Sequence, residues 1–239
     1  MWASNDFSSQ EPRLLVHYAN LLDLPGAEKM VAAYQENPNT DFHQMVADMA
    51  GIKRKAAKTI GLGLMYGMGK GKLANQLDLH ISEADELITK FHQNVPFLKG
   101  TVNAVMKRID SPTSNGTIRT LLGRKCRFPL WEPMEWGVNK ALPREQAVME
   151  YGQRIKRSGT YKGLNRLIQG SAADQVKSAM VALHKAGIHS MLQVHDELAL
   201  SVKSREEAQA AAQIMMEAVK LEVPSRCDVE VGPTWGSAK

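Results

Sequence analysis

The chain has 239 residues, 44% of them hydrophobic, enough for a sizeable core in one large domain or two smaller ones. No run of about 18 apolar residues occurs, so no membrane span is expected, and the opening Met1-Trp2-Ala3-Ser4-Asn5-Asp6 lacks the basic and apolar regions of a secretory signal. The formal charge of +5 is uneven: from Thr101 to Gly170 thirteen basic residues outnumber five acidic ones for a net +8, which leaves −3 elsewhere and fits either phosphate-backbone binding or a solvated charged surface.

In chain order, Trp2 to Phe7 reads as a short strand. Glu11 to Leu22 has helical spacing, with Leu14, Leu15, Tyr18 and Leu22 on one face. Pro25-Gly26 is a break. Thr40-Asp41 caps a helix to about Ala50, Gly51 ends it, and a second helix is expected from Ile52 to Tyr66. Gly67, Gly69 and Gly71 loosen the chain. Ser82-Glu83-Ala84-Asp85 resembles an N-cap with an acidic first turn, opening a helix to about Gln93. Pro96 starts another, to about Ile109. Thr117 to Leu122 and Cys126 to Pro129 look like a short hairpin around Gly123. Arg144 to Arg157 and Leu164 to Ala186 read as helices. Ser190 to Val194 and Glu197 to Val202 read as strands joined at His195-Asp196. Ser204 to Leu221 reads as helix and Asp228 to Val231 as a last strand. Helices segregated from a few late strands indicate an α+β architecture. Cys126 and Cys227 lack metal-ligand spacing and read as reduced thiols of a cytosolic protein.

Three clusters carry chemistry. The first is Asp6-Phe7-Ser8-Ser9-Gln10-Glu11-Pro12-Arg13, with one carboxylate at a strand end and another at a helix start. The second is Arg54, Lys58, Leu62 and Tyr66, spaced by four, a stripe that drifts about 40° per step. Two cations, an apolar side chain and a phenol in line can hold a nucleotide; they equally fit an exposed basic face with Tyr66 in the core. The third is His195-Asp196-Glu197 between two apolar strands. Adjacent carboxylates repel, and a divalent cation relieves the repulsion; a polar hairpin tip is the plainer alternative.

Taken together and in this order, the clusters resemble motifs A, B and C of family A (polymerase I-like) DNA polymerases. Asp6, Phe7, Ser8, Glu11 and Arg13 match D-Y-S-Q-x-E-x-R. Arg54, Lys58, Gly63, Tyr66 and Gly67 match the R-x-x-x-K motif and its Y-G end. Val194 to Glu197 is V-H-D-E in full. Asp41-Phe42-His43 resembles the D-x-H before motif B, Thr120 to Lys125 the T-L-x-G-R-R/K segment, and Asn165 to Asp174 the N-x-x-x-Q-G-x-A-A-D helix. Val231 to Trp235 resembles the terminal V-G-x-x-W. The resemblance spans nearly the whole chain.

The resemblance implies a polymerase palm, a small antiparallel sheet with packed helices, plus mostly helical fingers. Residues 1–22 and 111–239 would be palm and 23–110 fingers, without thumb or exonuclease domains. It implies template-directed DNA synthesis with two Mg²⁺ ions about 3.5–4 Å apart, Mn²⁺ able to substitute, on primer-template DNA and dNTPs. Asp6 and Asp196 would hold the metals, with the Phe7 carbonyl as a further ligand and Glu197 as second choice. Arg54, Lys58 and His43 would bind the triphosphate, and Lys58 would protonate the departing pyrophosphate. Leu62 and Tyr66 would meet sugar and base, and Glu11, paired with Tyr66, would exclude a 2′-hydroxyl. Asn165 and Gln169 would read minor-groove acceptors, and His195 would support the primer terminus. Arg124, Lys125 and Arg127 are candidates for DNA phosphates.

Some features depart from the family pattern. Gly61-Leu62 stands where an Asn-aromatic pair is usual, so little dideoxynucleotide incorporation is expected. Gly61 and Gly63 each weaken the helix by about 1 kcal/mol relative to Ala. Tyr161 stands where the family has an Arg four residues before the Asn. The chain starts a few residues before motif A, so a separate polypeptide supplying the thumb and upstream palm is expected as partner, a truncated remnant being the other explanation. A catalytically inactive DNA-binding or assembly module of the same fold, and a single-subunit RNA polymerase, are the competing functions. The cytoplasm, of the host if the source is viral, is the expected location, with no membrane partner.

Overall fold

Trp2–Phe7 forms β1, buried along most of its length because strands flank it on both edges. The computed structural model describes residues 1–135, 137 and 140–238, so the domain end read at 239 lies outside the described residues. Helices α1 (Gln10–Leu21), α2 (Ala27–Glu36), α3 (Phe42–Ala50), α4 (Arg54–Met65), α5 (Lys70–Leu77), α6 (Ile81–Asn94) and α7 (Pro96–Asp110) follow. Then come β2 (Thr117–Arg119), β3 (Lys125–Arg127), β4 (Leu130–Pro133), β5 (Leu142–Pro143), α8 (Arg144–Tyr151) and β6 (Ile155–Arg157). The chain closes with α9 (Gly163–Lys185), β7 (Ser190–Val194), β8 (Glu197–Ser201), α10 (Arg205–Glu217) and β9 (Cys227–Gly232). This is the expected α+β architecture of helices with small antiparallel sheets.

The main sheet has the order β7-β8-β1-β9, every pair antiparallel. Two cores lie along successive halves of the molecule's long helix. One gathers Leu14, Leu15, Met30, Tyr34, Ile60, Phe91, Phe97 and Leu98 with the first half of α9. The other packs Ala3, Phe7, Leu198 and Leu200 of the sheet against Val176, Ala179 and Leu183 of α9 and against α10. At 23 residues α9 runs about 35 Å, long enough to serve both.

Several elements differ from the sequence reading. Helix α2 fills the stretch after the Pro25-Gly26 break, where Met30, Val31 and Tyr34 bury one face. Helix α5 forms despite its glycines because Leu73 and Ala74 are buried. Helix α6 starts at Ile81, earlier than the Ser82 cap suggested: His80 caps it, and Glu83 accepts the His80 backbone N–H at 2.8 Å. The single helix read over Arg144–Arg157 is broken. Gly152, at φ 74°, ends α8, and the next residues pair with β4 as β6. Within that small sheet Trp131 lies between the Arg144 and Arg157 guanidinium groups, at 5.7 and 4.6 Å from its ring centre. No helix among the described residues is long and apolar enough to cross a membrane, and Cys126 and Cys227 are free thiols.

Candidate active site

The sheet register brings the first and third sequence clusters together. Asp6 is the Cα partner of Glu197 across β1 and β8, and of Asp228 across β1 and β9. Directly opposed residues share a face, so three acids lie in a row. His195 and Asp196 form the two-residue turn between β7 and β8, with His195 at φ 54° and the Asp196 carbonyl accepting from the Phe7 N–H at 3.3 Å. The Asp6 carboxyl is pushed up to about 6 by burial first, then by the charge of Asp196, a shared hydrogen bond with that carboxyl, and the charges of Glu197 and Asp228. Its Oδ1 is buried and has no hydrogen-bond partner. An acid site that raises its own pKa and leaves an oxygen unsatisfied is suited to a divalent cation. No group of three or more His, Cys, Asp or Glu side chains among the described residues is arranged to hold a metal. What the sheet offers is a carboxylate pair, Asp6 and Asp196.

The neighbouring acids are held by other partners. Glu197 Oε1 accepts from the Trp235 indole N–H at 2.8 Å. Asp228 accepts a short hydrogen bond from the Ser8 hydroxyl and pairs with Arg226 at 2.6 Å. Sequence reasoning missed the Trp235 contact; its only signal was the terminal V-G-x-x-W.

Arg13, the last matching residue of the first cluster, is a buried cation that forms no ion pair among the described residues. Its guanidinium donates to the carbonyls of Ser8 (2.9 Å), Pro224 (2.6 Å) and Pro38 (2.6 Å), and it covers the Tyr34 ring at 4.6 Å. It therefore ties β1 to the segment before β9 and to the end of α2.

The second cluster lies on α4, which starts at Arg54 rather than Ile52 and ends with Tyr66 as its C-cap. Arg54 pairs with Asp41, the N-cap of α3, at 2.8 Å. Burial pushes the Asp41 carboxyl up, but Arg54 and the backbone N–H groups of Gln44 and His43 outweigh it and hold it below the usual range. His43 is held below its ordinary pKa by burial, and Lys58 and Arg54 add to the effect against Asp41. Its Nδ1 is buried and has no hydrogen-bond partner among the described residues. His43, Arg54 and Lys58 thus form one group. Leu62 packs against the helical core.

Tyr66 reaches back to the sheet side of the molecule. Its hydroxyl donates to Glu11 Oε2 at 2.8 Å, and Gln169 Nε2 donates to the other Glu11 oxygen. Burial, then Glu11, pushes the Tyr66 phenol up to about 12. Glu11 and Gln169 line a cleft of about 410 Å³ whose other walls include Lys177, Gln193, His195 and Asp196. Asn165 precedes Gln169 by one turn of α9. A larger cleft, about 610 Å³, lies away from the carboxylates between α1, α7 and β2–β3; Lys125 and Arg127 line it together with Arg108 and Arg119, which sequence reasoning had not singled out. Arg124 is engaged inside the protein, pairing with Asp174 at 2.8 Å and donating to the Gly170 carbonyl.

The sequence model of DNA polymerase family A matches residues 1–237. The chain belongs to DNA polymerase family A. It is 41% identical over 278 residues to a DNA-directed DNA polymerase of Pseudomonas phage M6, an alignment covering 98% of this chain and 38% of the phage protein. It is 32% identical over 250 residues to the thermostable DNA polymerase I of Thermus aquaticus, covering 98% of this chain and 27% of that one. The POL domain of Pol1 from M. smegmatis, solved with DNA primer-template and dNTP, superposes with a TM-score of 0.75 at 27% identity, over 99% of this chain and 40% of that one. This family A chain therefore spans well under half the length of these relatives.

Proposed function

We propose that the chain carries the nucleotidyl-transfer centre of a template-directed DNA polymerase, with residues 1–22 and 111–239 as palm and 23–110 as fingers. The observation that supports it most is the contact between the Asp6 and Asp196 carboxyls, beside a cleft that Asp196 lines together with Glu11, the acceptor of the Tyr66 hydroxyl.

In this reading the primer 3′-hydroxyl lies beside Asp6 and Asp196. Its oxygen gives up its proton to solvent and attacks the α-phosphorus of a dNTP, the bond to the bridging oxygen breaks, and pyrophosphate leaves. Asp6, Asp196 and the Phe7 carbonyl would hold two divalent cations, Mg²⁺ or Mn²⁺, which would lower the pKa of the hydroxyl and offset the charge of the phosphates. Glu197, fixed by Trp235, adds negative charge as an auxiliary group. Arg54 exchanges Asp41 for the triphosphate, and His43, neutral at pH 7, offers a hydrogen bond to it. Lys58 carries the proton that the leaving pyrophosphate takes up. The Glu11 carboxylate, fixed by Tyr66 and Gln169, leaves no room for a 2′-hydroxyl. Asn165 and Gln169 test the minor-groove edge, and His195 supports the primer end. Lys125 and Arg127, with Arg108 and Arg119, offer a basic surface to DNA phosphates. A second polypeptide carrying the portion that the longer relatives have outside this match is the proposed partner.

Primer extension with all four dNTPs, with and without such a polypeptide, tests the reading. Extension that needs a divalent cation and a template supports it. Failure to extend in either condition, with intact folding, contradicts it.

A further inference from the structure

The cleft lined by Glu11 and Asp196 contains a cation that the reaction scheme above does not use. Lys177 projects from α9 among Gln169, Gln193, His195 and Asp196. It is the one Lys or Arg among the described residues lining that cleft, which the carboxylates of Glu11 and Asp196 also line. It is exposed, and no ion pair holds it among the described residues. The nearest acid on its own helix, Asp174, is already paired with Arg124 at 2.8 Å and accepts the Leu122 N–H at 3.2 Å. Lys177 therefore stands on the ridge between this cleft and a second one of about 490 Å³, which Asp174 also lines, with its charge unspent.

The helical spacing places that charge along a track. Gln169, Ala173 and Lys177 follow one another at intervals of four on α9, so they run down one face with a slow drift. The middle position is a small side chain and leaves the track open. A strand that presents its 3′-hydroxyl to Asp6 and Asp196 must bring its last phosphodiesters past two carboxylates. Those anions repel, and a cation on the cleft wall offsets the repulsion where the strand enters.

We propose that Lys177 binds a phosphate of the primer strand within its last few nucleotides, and so sets the depth at which the 3′ end sits. This inference rests on the function proposed above. Lysine acts here as a flexible point charge, which suits a backbone phosphate and carries no sequence preference.

The test is binding of the full chain to a fluorescent primer-template by anisotropy over a range of salt, without nucleotide. Each neutralised duplex phosphate contributes a slope of about −0.9 to log K against log salt. Lys177→Ala lowers the slope by about that amount and weakens all sequences alike, Lys177→Arg restores it, and Lys29→Ala, on α2 outside these clefts, leaves it unchanged. A series of primers with one methylphosphonate linkage each identifies the phosphate. One linkage near the 3′ end weakens the wild type as much as Lys177→Ala does, and weakens Lys177→Ala no further. A slope unaltered by Lys177→Ala, or additive losses at every linkage, overturns this inference while leaving the proposed function intact. A wild-type chain that fails to bind primer-template at low salt both alone and together with the proposed second polypeptide contradicts the proposed function itself, and this inference with it.

Discussion

Asp6 and Glu197 face each other across neighbouring antiparallel strands, and that register seats the turn residue Asp196 against the Asp6 carboxyl. Like charges opposed in a sheet are destabilising. The fold answers with a separate partner for each outer acid: Trp235 for Glu197, Ser8 and Arg226 for Asp228. Asp6 is left with a buried oxygen that nothing in the described protein satisfies. The Asp6 carboxylate is thus held at a cost to the fold.

The pH dependence of stability follows from that arrangement. The folded Asp6 carboxyl titrates at about 6 instead of 3.8, so the native state holds its proton more tightly than the unfolded chain does. Its contribution is most favourable below about 4 and is lost as pH rises through 6. The full difference is about 3 kcal/mol, which solvent screening at a half-exposed carboxyl reduces to about 1 kcal/mol. Urea unfolding in EDTA should show this fall between pH 4 and 7. Asp6→Asn should abolish it and be the more stable protein at pH 7. An unchanged pH profile in Asp6→Asn would show that the strain lies elsewhere.

Glu11 is the hub of a three-residue contact with Tyr66 and Gln169. Glu11→Ala should raise ribonucleotide incorporation relative to deoxynucleotide by roughly 10- to 100-fold, since an apolar site rejects an added hydroxyl weakly. Single-nucleotide insertion kinetics with matched rNTP and dNTP measure the ratio. No change would remove Glu11 from sugar selection.

Arg13 ties three carbonyls from distant segments together. Replacing it with Met keeps much of the packing on Tyr34 but strands those carbonyls, and a loss of about 3 kcal/mol is expected. Denaturant unfolding checks it. A loss under about 1 kcal/mol would mean that the three carbonyls find water.

The two glycines of α4 should respond differently to alanine. A methyl at Gly61 meets only Leu98 Cδ1, at 4.0 Å, whereas at Gly63 it lies 3.1 Å from the Met68 sulfur. Gly61→Ala should therefore stabilise the protein by about 0.5–1 kcal/mol through helix propensity, and Gly63→Ala should gain less or nothing. Thermal unfolding of both variants is the comparison. Equal gains would show that Met68 moves aside freely.

How far the sequence reaches can be judged from particular residues. The β7–β8 hairpin was readable because Ser190 to Val194 and Glu197 to Val202 are apolar runs around two polar turn residues. Helix α9 was readable from its long apolar period. The union of Asp6 with Asp196 was not readable from spacing, since it depends on strand pairing between the two ends of the chain; the family resemblance supplied it. Helix α2 was passed over because Pro25-Gly26 draws attention to a turn, while its buried face rests on only a few residues, Ala27, Met30, Val31 and Tyr34. Strand β6 is polar and exists because β4 pairs with it. The pairing of Arg124 with Asp174 was not readable, because the two are far apart along the chain and meet only where the loop before β3 packs on α9.

The central claim is that Asp6 and Asp196 together form the nucleotidyl-transfer centre. It is tested most directly by primer extension with the wild type and Asp196→Asn, side by side, in the presence of a polypeptide supplying the upstream portion. The account predicts template-dependent extension by the wild type and a loss of about 10³-fold or more in the variant, several kcal/mol of transition-state stabilisation, with unchanged binding to primer-template. Extension by Asp196→Asn at close to the wild-type rate would contradict it.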